Sequence, residues 1–328
     1  MKLTHRERME RCLANIQPDR PPVAFWRHFP VDDQTPGGLA AATINFQQVY
    51  DFDFVKITPA SSFCLRDWGV QDEWRGNPEG TRDYTHRVIE YPEDWHRLRV
   101  LDPSRGALAA QQEAIRLTAS ALGAETPFIQ TIFNPLAQAK NLAGKERLIA
   151  HLRQYPEAVL EGLQTITEST CRFVEACLPL GGAGIFYAVQ HASHVLLSRE
   201  EYQRFGRPFD LQVLSTVENQ WLNVLHLHGT DIFFDAFVDY PVQVMNWHDL
   251  ETPPSLDEAQ RLFDGVVCGG LRQWETMVLG TPDDVVREAR QAIAATQGRR
   301  FILGTGCVTP VTVPYGNLWQ ARNIVEAR

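Results

Sequence analysis

Two histidines one residue apart, in Leu225-His226-Leu227-His228-Gly229, are the strongest chemical signal in the chain. The interleaved leucines give the alternation of a β-strand. Alternate side chains on a strand share a face, so both imidazoles point the same way. A second signal lies far downstream in Gly304-Thr305-Gly306-Cys307, where small residues let the backbone turn and present the thiol. Two imidazoles and a thiolate suit zinc, a borderline-soft, tetrahedral ion, and three protein ligands leave a fourth position open, the pattern of a catalytic site. His248 and Asp249, at the end of another apolar run, supply either a fourth ligand or a group that orients the others. Taken singly, the His-x-His pair reads equally as two hydrogen-bonded strand-end histidines, and Cys307 as a buried thiol. The metal reading needs both strand ends at one place.

That requirement falls on the elements. Eight apolar runs read as strands: 23–26, 52–58, 127–133, 184–190, 223–229, 242–248, 265–270 and 301–307. Amphipathic segments at 108–122, 145–159, 161–178, 199–218, 255–262 and 281–295 read as helices between most of them. Thr4 and Glu7 form a capping box for a first helix to about residue 16, and Thr281-Pro282 opens the last of the six. Serial βα units imply a parallel sheet, and closing it on itself removes its edges. The expected fold is therefore α/β, a (β/α)8 TIM barrel forming a single domain over 1–328, with an elaborated loop or lid at about 61–106. A doubly wound open sheet is the rival, but it would place a glycine-rich phosphate loop after the first strand. Here Arg27-His28-Phe29-Pro30 follows instead. In a barrel the tops of the fifth and eighth strands meet at one mouth, where catalytic groups collect.

Other polar residues fall at predicted strand tops. Arg27, His28, Asn134, Tyr187, Gln190, Asn246 and Asp249 read together as a substrate pocket, and singly as structural hydrogen-bonders. Lys56, His191 and His194 belong to the same tier, whereas Asp51 and Asp53 start the second strand, on the stability face. No nucleophile elbow, P-loop or dinucleotide fingerprint occurs. The 328 residues are 44% hydrophobic with a net charge of −9, which excludes a basic footprint for nucleic acid or an anionic membrane. The N-terminus lacks the apolar stretch of a secretory signal, and no run approaches the ~18 apolar residues of a membrane span. A cytoplasmic location is expected, with six reduced cysteines. Cys12, Cys171 and Cys177 lie in helical patterns and read as packing residues.

The residues also resemble a known family. Asp19-Arg20-Pro21-Pro22-Val23 is similar to the opening of uroporphyrinogen decarboxylase superfamily proteins, and Leu197-Ser198 with Tyr202 and Pro208 is similar to their helix after strand four. Gly269-Gly270-Leu271 and the segment from Pro310 through Pro314 to Asn317 resemble two later motifs of that family, so the likeness spans nearly the whole chain. The resemblance implies the same (β/α)8 fold. True uroporphyrinogen decarboxylases carry an arginine-rich stretch after strand one, an Asp near strand two and a Gly-His-Gly late in the chain. This sequence has Arg27 without a second arginine, no Asp in Lys56-Ile57-Thr58-Pro59-Ala60-Ser61, and Gly304-Thr305-Gly306 for the last motif. The other branch, zinc-dependent methyltransferases, carries His-x-Cys and a distant Cys. His226 and Cys307 match the outer members, and His228 stands for the middle cysteine.

The resemblance implies a zinc-dependent methyltransferase. It would use His226, His228 and Cys307 to move a methyl group between a corrinoid, supplied by a partner protein, and a thiol or related small-molecule acceptor. Zinc with one thiolate carries a formal charge of +1, against zero with two. This makes it a stronger Lewis acid and leaves a bound thiolate less nucleophilic. The alternatives are a decarboxylase holding a carboxylated small molecule through Arg27 and Gln190, and a noncatalytic ligand-binding barrel.

Overall fold

The structure, a computed structural model, describes residues 2–326. Among the described residues nine strands occur in chain order: β1 (Val55–Ile57), β2 (Gln71–Glu73), β3 (Asp83–His86), β4 (Phe128–Phe133), β5 (Gly184–Val189), β6 (Val224–Leu227), β7 (Val244–Trp247), β8 (Val266–Leu271) and β9 (Phe301–Thr305). Seven of them form one curled parallel sheet in the order β1-β4-β5-β6-β7-β8-β9. Its strands are buried along their whole length, as expected of a parallel sheet covered by its own crossover helices.

The first expected strand, 23–26, is not a strand of this sheet, so the α/β sheet has seven members where eight were expected. Val23 makes a single parallel bridge to Leu303 in β9. On the other side, Asp53 N donates to Val23 O at 2.9 Å. Two features shorten the ladder. Pro21 and Pro22 have no N–H to give, and the N–H of Val23 goes to the Asp53 side chain at 2.8 Å. The other seven expected runs each coincide with one strand of the sheet, six of them longer than the strand and the run 265–270 stopping one residue short of the end of β8.

The same Asp53 carboxylate ties the N-terminal helix His5–Leu13 to the sheet. It accepts from His5, Arg8 and Arg20, at the end of the sheet away from the histidines. Thr4 and Glu7 form the expected capping box on that helix.

Segment 61–106 holds the β2–β3 antiparallel hairpin and the short helix Pro92–Arg97. It reaches the loops after β8 and β9. Glu79 accepts from Gln273 at 3.2 Å and Trp274 at 3.3 Å, and Pro78 O accepts from Val311 N at 2.7 Å. Cys12 is buried, and Cys171 and Cys177 are only partly so. Among the described residues no helix is long and apolar enough to cross a membrane.

Candidate metal centre

His226 sits in β6 beside Ala188 of β5 and Asn246 of β7. His228 follows two residues on, on the same face. His248 stands in the same phase beyond Asn246, and Cys307 lies two residues past the end of β9. Alternation along parallel strands thus delivers four donors to one end of the sheet. One ligand atom from each of His226, His228, His248 and Cys307 lies within 4.8 Å of all the others. Cys307 Sγ is 3.7 Å from His226 Nε2 and 3.6 Å from His228 Nδ1. A tetrahedral zinc with its usual bond lengths of about 2.0–2.1 Å to nitrogen and 2.3 Å to sulfur holds those atoms about 3.6 Å apart. The donor set fits such an ion.

Hydrogen bonding prepares His226 for this role. Asn246 Nδ2 donates to Cys268 O at 2.9 Å and Thr305 O at 3.0 Å, which fixes the orientation of its amide. Its Oδ1 therefore accepts from His226 Nδ1–H at 2.7 Å, leaving the lone pair of Nε2 turned toward Cys307. Phe186 stacks on the other side of the ring, 5.5 Å between centroids. His248 Nδ1 is 3.3 Å from Glu251, and its buried Nε2 has no hydrogen-bond partner.

Burial keeps every donor neutral. It lowers the His226 pKa well below the usual imidazole range, with His228 and His248 adding to the effect. Burial first, then His248, brings His228 to about 4, and burial alone brings His248 to about 4. Burial pushes the Cys307 thiol up to about 12. Without an ion the centre is thus three neutral imidazoles and a protonated thiol, so metal binding must expel the thiol proton.

The substrate-binding candidates divide. Asn246 belongs to the centre, as described. His28 lies just past residues 23–26 and Gln190 just past β5, and each leaves a buried ring or amide atom, Nδ1 and Oε1 respectively, without a partner. Burial, then Lys56, lowers His28 to about 3. Asp249 is buried against β8, where it accepts from Gly270 N at 3.1 Å, and burial raises it to about 7.

The structure does not bring Arg27, Asn134 or Tyr187 to the centre. Arg27 stacks over Phe29 and Phe46, against the helix Pro36–Tyr50. Tyr187 pairs with Leu225, on the opposite face from His226, and its hydroxyl donates to Asp210 at 2.8 Å. Asn134 caps the helix Pro135–Ala143 and donates to the same carboxylate at 3.0 Å. Tyr202 and Tyr240 complete this buried node at 2.5 and 3.0 Å. Sequence reading missed Asp210 because a lone Asp in a helical pattern carries no sign of four converging donors. His191 is buried with an unpartnered Nδ1, whereas His194 is exposed and meets Phe233 edge-on.

The model of the uroporphyrinogen decarboxylase (URO-D) family matches residues 4–327. Among solved structures, a methyltransferase from Methanosarcina mazei superposes with a TM-score of 0.85 at 17% identity, covering 99% of this chain and 100% of that one. A Listeria monocytogenes structure, assigned as a vitamin-B12 independent methionine synthase, gives 0.55 at 8% identity over 93% of this chain and 95% of its own. These likenesses are of fold. Among curated proteins no sequence is significantly similar.

Proposed function

Because the chain belongs to the uroporphyrinogen decarboxylase family, we propose that it is a zinc-dependent methyltransferase of that superfamily, transferring a methyl group between a corrinoid carrier and a thiol or related acceptor. One observation carries the reading: His226, His228, His248 and Cys307 converge within 4.8 Å at one end of the parallel sheet. The shared fold with a protein described as a methyltransferase agrees with it. In this reading residues 22–24 act as the residual eighth strand of a closed barrel, and the centre lies in its mouth.

His226, His228 and Cys307 would hold the ion, with His248 as a fourth donor. When bound, zinc supplies Lewis acidity that lowers the pKa of an acceptor thiol and favours its thiolate. Asn246 keeps Nδ1 of His226 protonated and its Nε2 free. Cys307 would be a thiolate when the site is loaded. His248 would be the donor that makes room for the acceptor. It lies just beyond its strand, and Glu251 at 3.3 Å stands ready to receive its Nδ1–H. The methyl donor would be a methylcorrinoid protein docked over the mouth. The decarboxylase alternative rests on Arg27 and Gln190 together, and of these the Arg27 guanidinium lies over the rings of Phe29 and Phe46.

The test is metal content together with turnover. Purified protein is expected to hold one zinc per chain and to methylate a thiol from methylcobalamin, with both properties lost in His226→Ala and Cys307→Ala. A chelator-insensitive enzyme without stoichiometric zinc would sink the proposal.

A further inference from the structure

The tip of the β2–β3 hairpin carries a carboxylate that metal binding leaves unexplained. Pro78 O accepts from Val311 N at 2.7 Å, four residues past Cys307. Gly80, at φ +77°, lies so close to His28 that a Cβ there would fall 2.5 Å from the Cβ of His28. Between these two anchors stands Glu79. Its Oε1 accepts from Gln273 Nε2 at 3.2 Å and from Trp274 Nε1 at 3.3 Å, both in the loop after β8. Among the described residues nothing donates to its Oε2. Glu79 is half-buried and near enough for its charge to be felt at the Cys307 thiol.

No side-chain cation balances it. Among the described residues Arg75 pairs with Glu73, Arg82 with Asp33 and Arg272 with Glu288, so the arginines of the hairpin and of the loop after β8 are engaged elsewhere. His28 does not serve, because burial, then Lys56, lowers it to about 3 and leaves it neutral. Gln273 repeats the imbalance in an uncharged group. It is 5% exposed. The carboxylate takes the N–H side of its amide, which turns the carbonyl oxygen away, and that buried Oε1 has no partner. A carboxylate and an amide oxygen, separated by no more than one hydrogen bond and the width of one amide, thus both lack a donor. Buried acceptors without donors are costly, and a group rich in N–H removes the cost at both.

We propose that Glu79 and Gln273 form a cation subsite at the rim of the His/Cys centre, and that the small molecule bound there carries a protonated amine. Oxygen acceptors need N–H donors, so a quaternary ammonium would leave both unsatisfied. The inference rests on the methyltransferase reading only for the other end of that molecule, the thiol. Glu79 belongs to the hairpin and Gln273 to the loop after β8, so an ammonium between them ties the two together and holds the tip over the mouth.

Calorimetry on the zinc-loaded protein compares two matched pairs of thiols: 2-aminoethanethiol with 2-mercaptoethanol, and 3-aminopropanethiol with 3-mercaptopropanol. An ammonium also acidifies its own thiol, so the quantity read is how far Glu79→Gln changes each ratio of affinities. For at least one pair the ratio is expected to fall about tenfold or more, the value of one charge-assisted contact, with zinc content and affinity for the neutral thiol retained. Gln273→Leu leaves the charge unchanged and removes the second acceptor, so it should lower the same ratio severalfold. Ratios that change less than about threefold in Glu79→Gln overturn the subsite. So does a full preference in Gln273→Leu, which would mark attraction at a distance and not a contact. Propylammonium, which has no thiol, tests the subsite apart from the metal when added to metal-free protein: binding that disappears in Glu79→Gln supports it, and no binding to the wild type overturns it. Loss of methyl transfer with propylammonium binding intact would count against the proposed reaction and leave the subsite standing.

Discussion

Replacing Asn246 by leucine isolates the orienting function of one amide. The side chain is fully buried and makes three contacts: 2.7 Å to His226 Nδ1, 2.9 Å to Cys268 O and 3.0 Å to Thr305 O. Leucine keeps the volume and loses all three. Each buried polar group left unpaired costs about 1–3 kcal/mol, so a lower melting temperature is expected. The diagnostic effect is on the metal. Without an acceptor at Nδ1, the His226 ring has no fixed tautomer or direction, and loss of such a partner typically weakens metal binding by about 10–100-fold, or about 1.4–2.7 kcal/mol. The assay is zinc competition against a chromophoric chelator, with calorimetric melting in parallel. Asn134→Leu is the control. Asn134 is equally buried but bonds Asp210 and Ala137, so it should cost stability without moving zinc affinity. Zinc affinity in Asn246→Leu within about threefold of wild type, or an equal loss in Asn134→Leu, would refute the reasoning.

Three further outcomes are expected. Zinc loading at about pH 7.5 should release about one proton per ion, because burial keeps His228 and His248 near 4 and Cys307 near 12, so only the thiol has a proton to lose; titration in buffers of differing ionisation enthalpy reads the number, and zero or two contradicts the assignment. Gly306→Ala would put a Cβ 2.7 Å from His248 Cα and 2.8 Å from Trp247 O, so it should displace His248 and weaken zinc binding; unchanged affinity would show that the loop yields freely. Asp53→Asn should cost roughly 3–5 kcal/mol in urea unfolding at neutral pH, as expected when one partner of a buried ion cluster is removed. Burial alone would raise the Asp53 carboxyl, but His5, Arg20 and Arg8 hold it well below the usual carboxylate range. Its stabilisation is therefore complete above about pH 4 and fades as the pH falls further, a slope that Asp53→Asn should flatten.

Much of this was legible from residue types. The seven strands stand out because buried parallel strands are continuous apolar runs, and His226, His228 and Cys307 fall on the same face and end of the sheet by simple alternation. His248 was visible as a fourth ligand or an orienter, and the structure gives its ring the first geometry. Three things were not legible. The strand at 23–26 failed because its amide is taken by a side chain 30 positions away, a tertiary event with no local signature. Tyr187 and Asn134 looked like pocket residues because strand-top position was weighed and strand parity was not; parity turns Tyr187 to the helix side, where Asp210 waits. The β2–β3 hairpin is too short and polar to announce itself, with both strands largely exposed.

The sulfur of the centre is separated from the first imidazole by 81 positions. In chain order the three imidazoles come first, and the thiol follows β9, which pairs with β8 on one side and is bridged to residues 22–24 on the other. An ion captured early would meet nitrogen alone. In the zinc reading, the soft ligand that distinguishes zinc from harder competitors would arrive with the final strand, so metal selectivity and seating of that strand would be one event. Occupancy of the centre would then serve as a readout of chains whose C-terminal portion has been correctly seated.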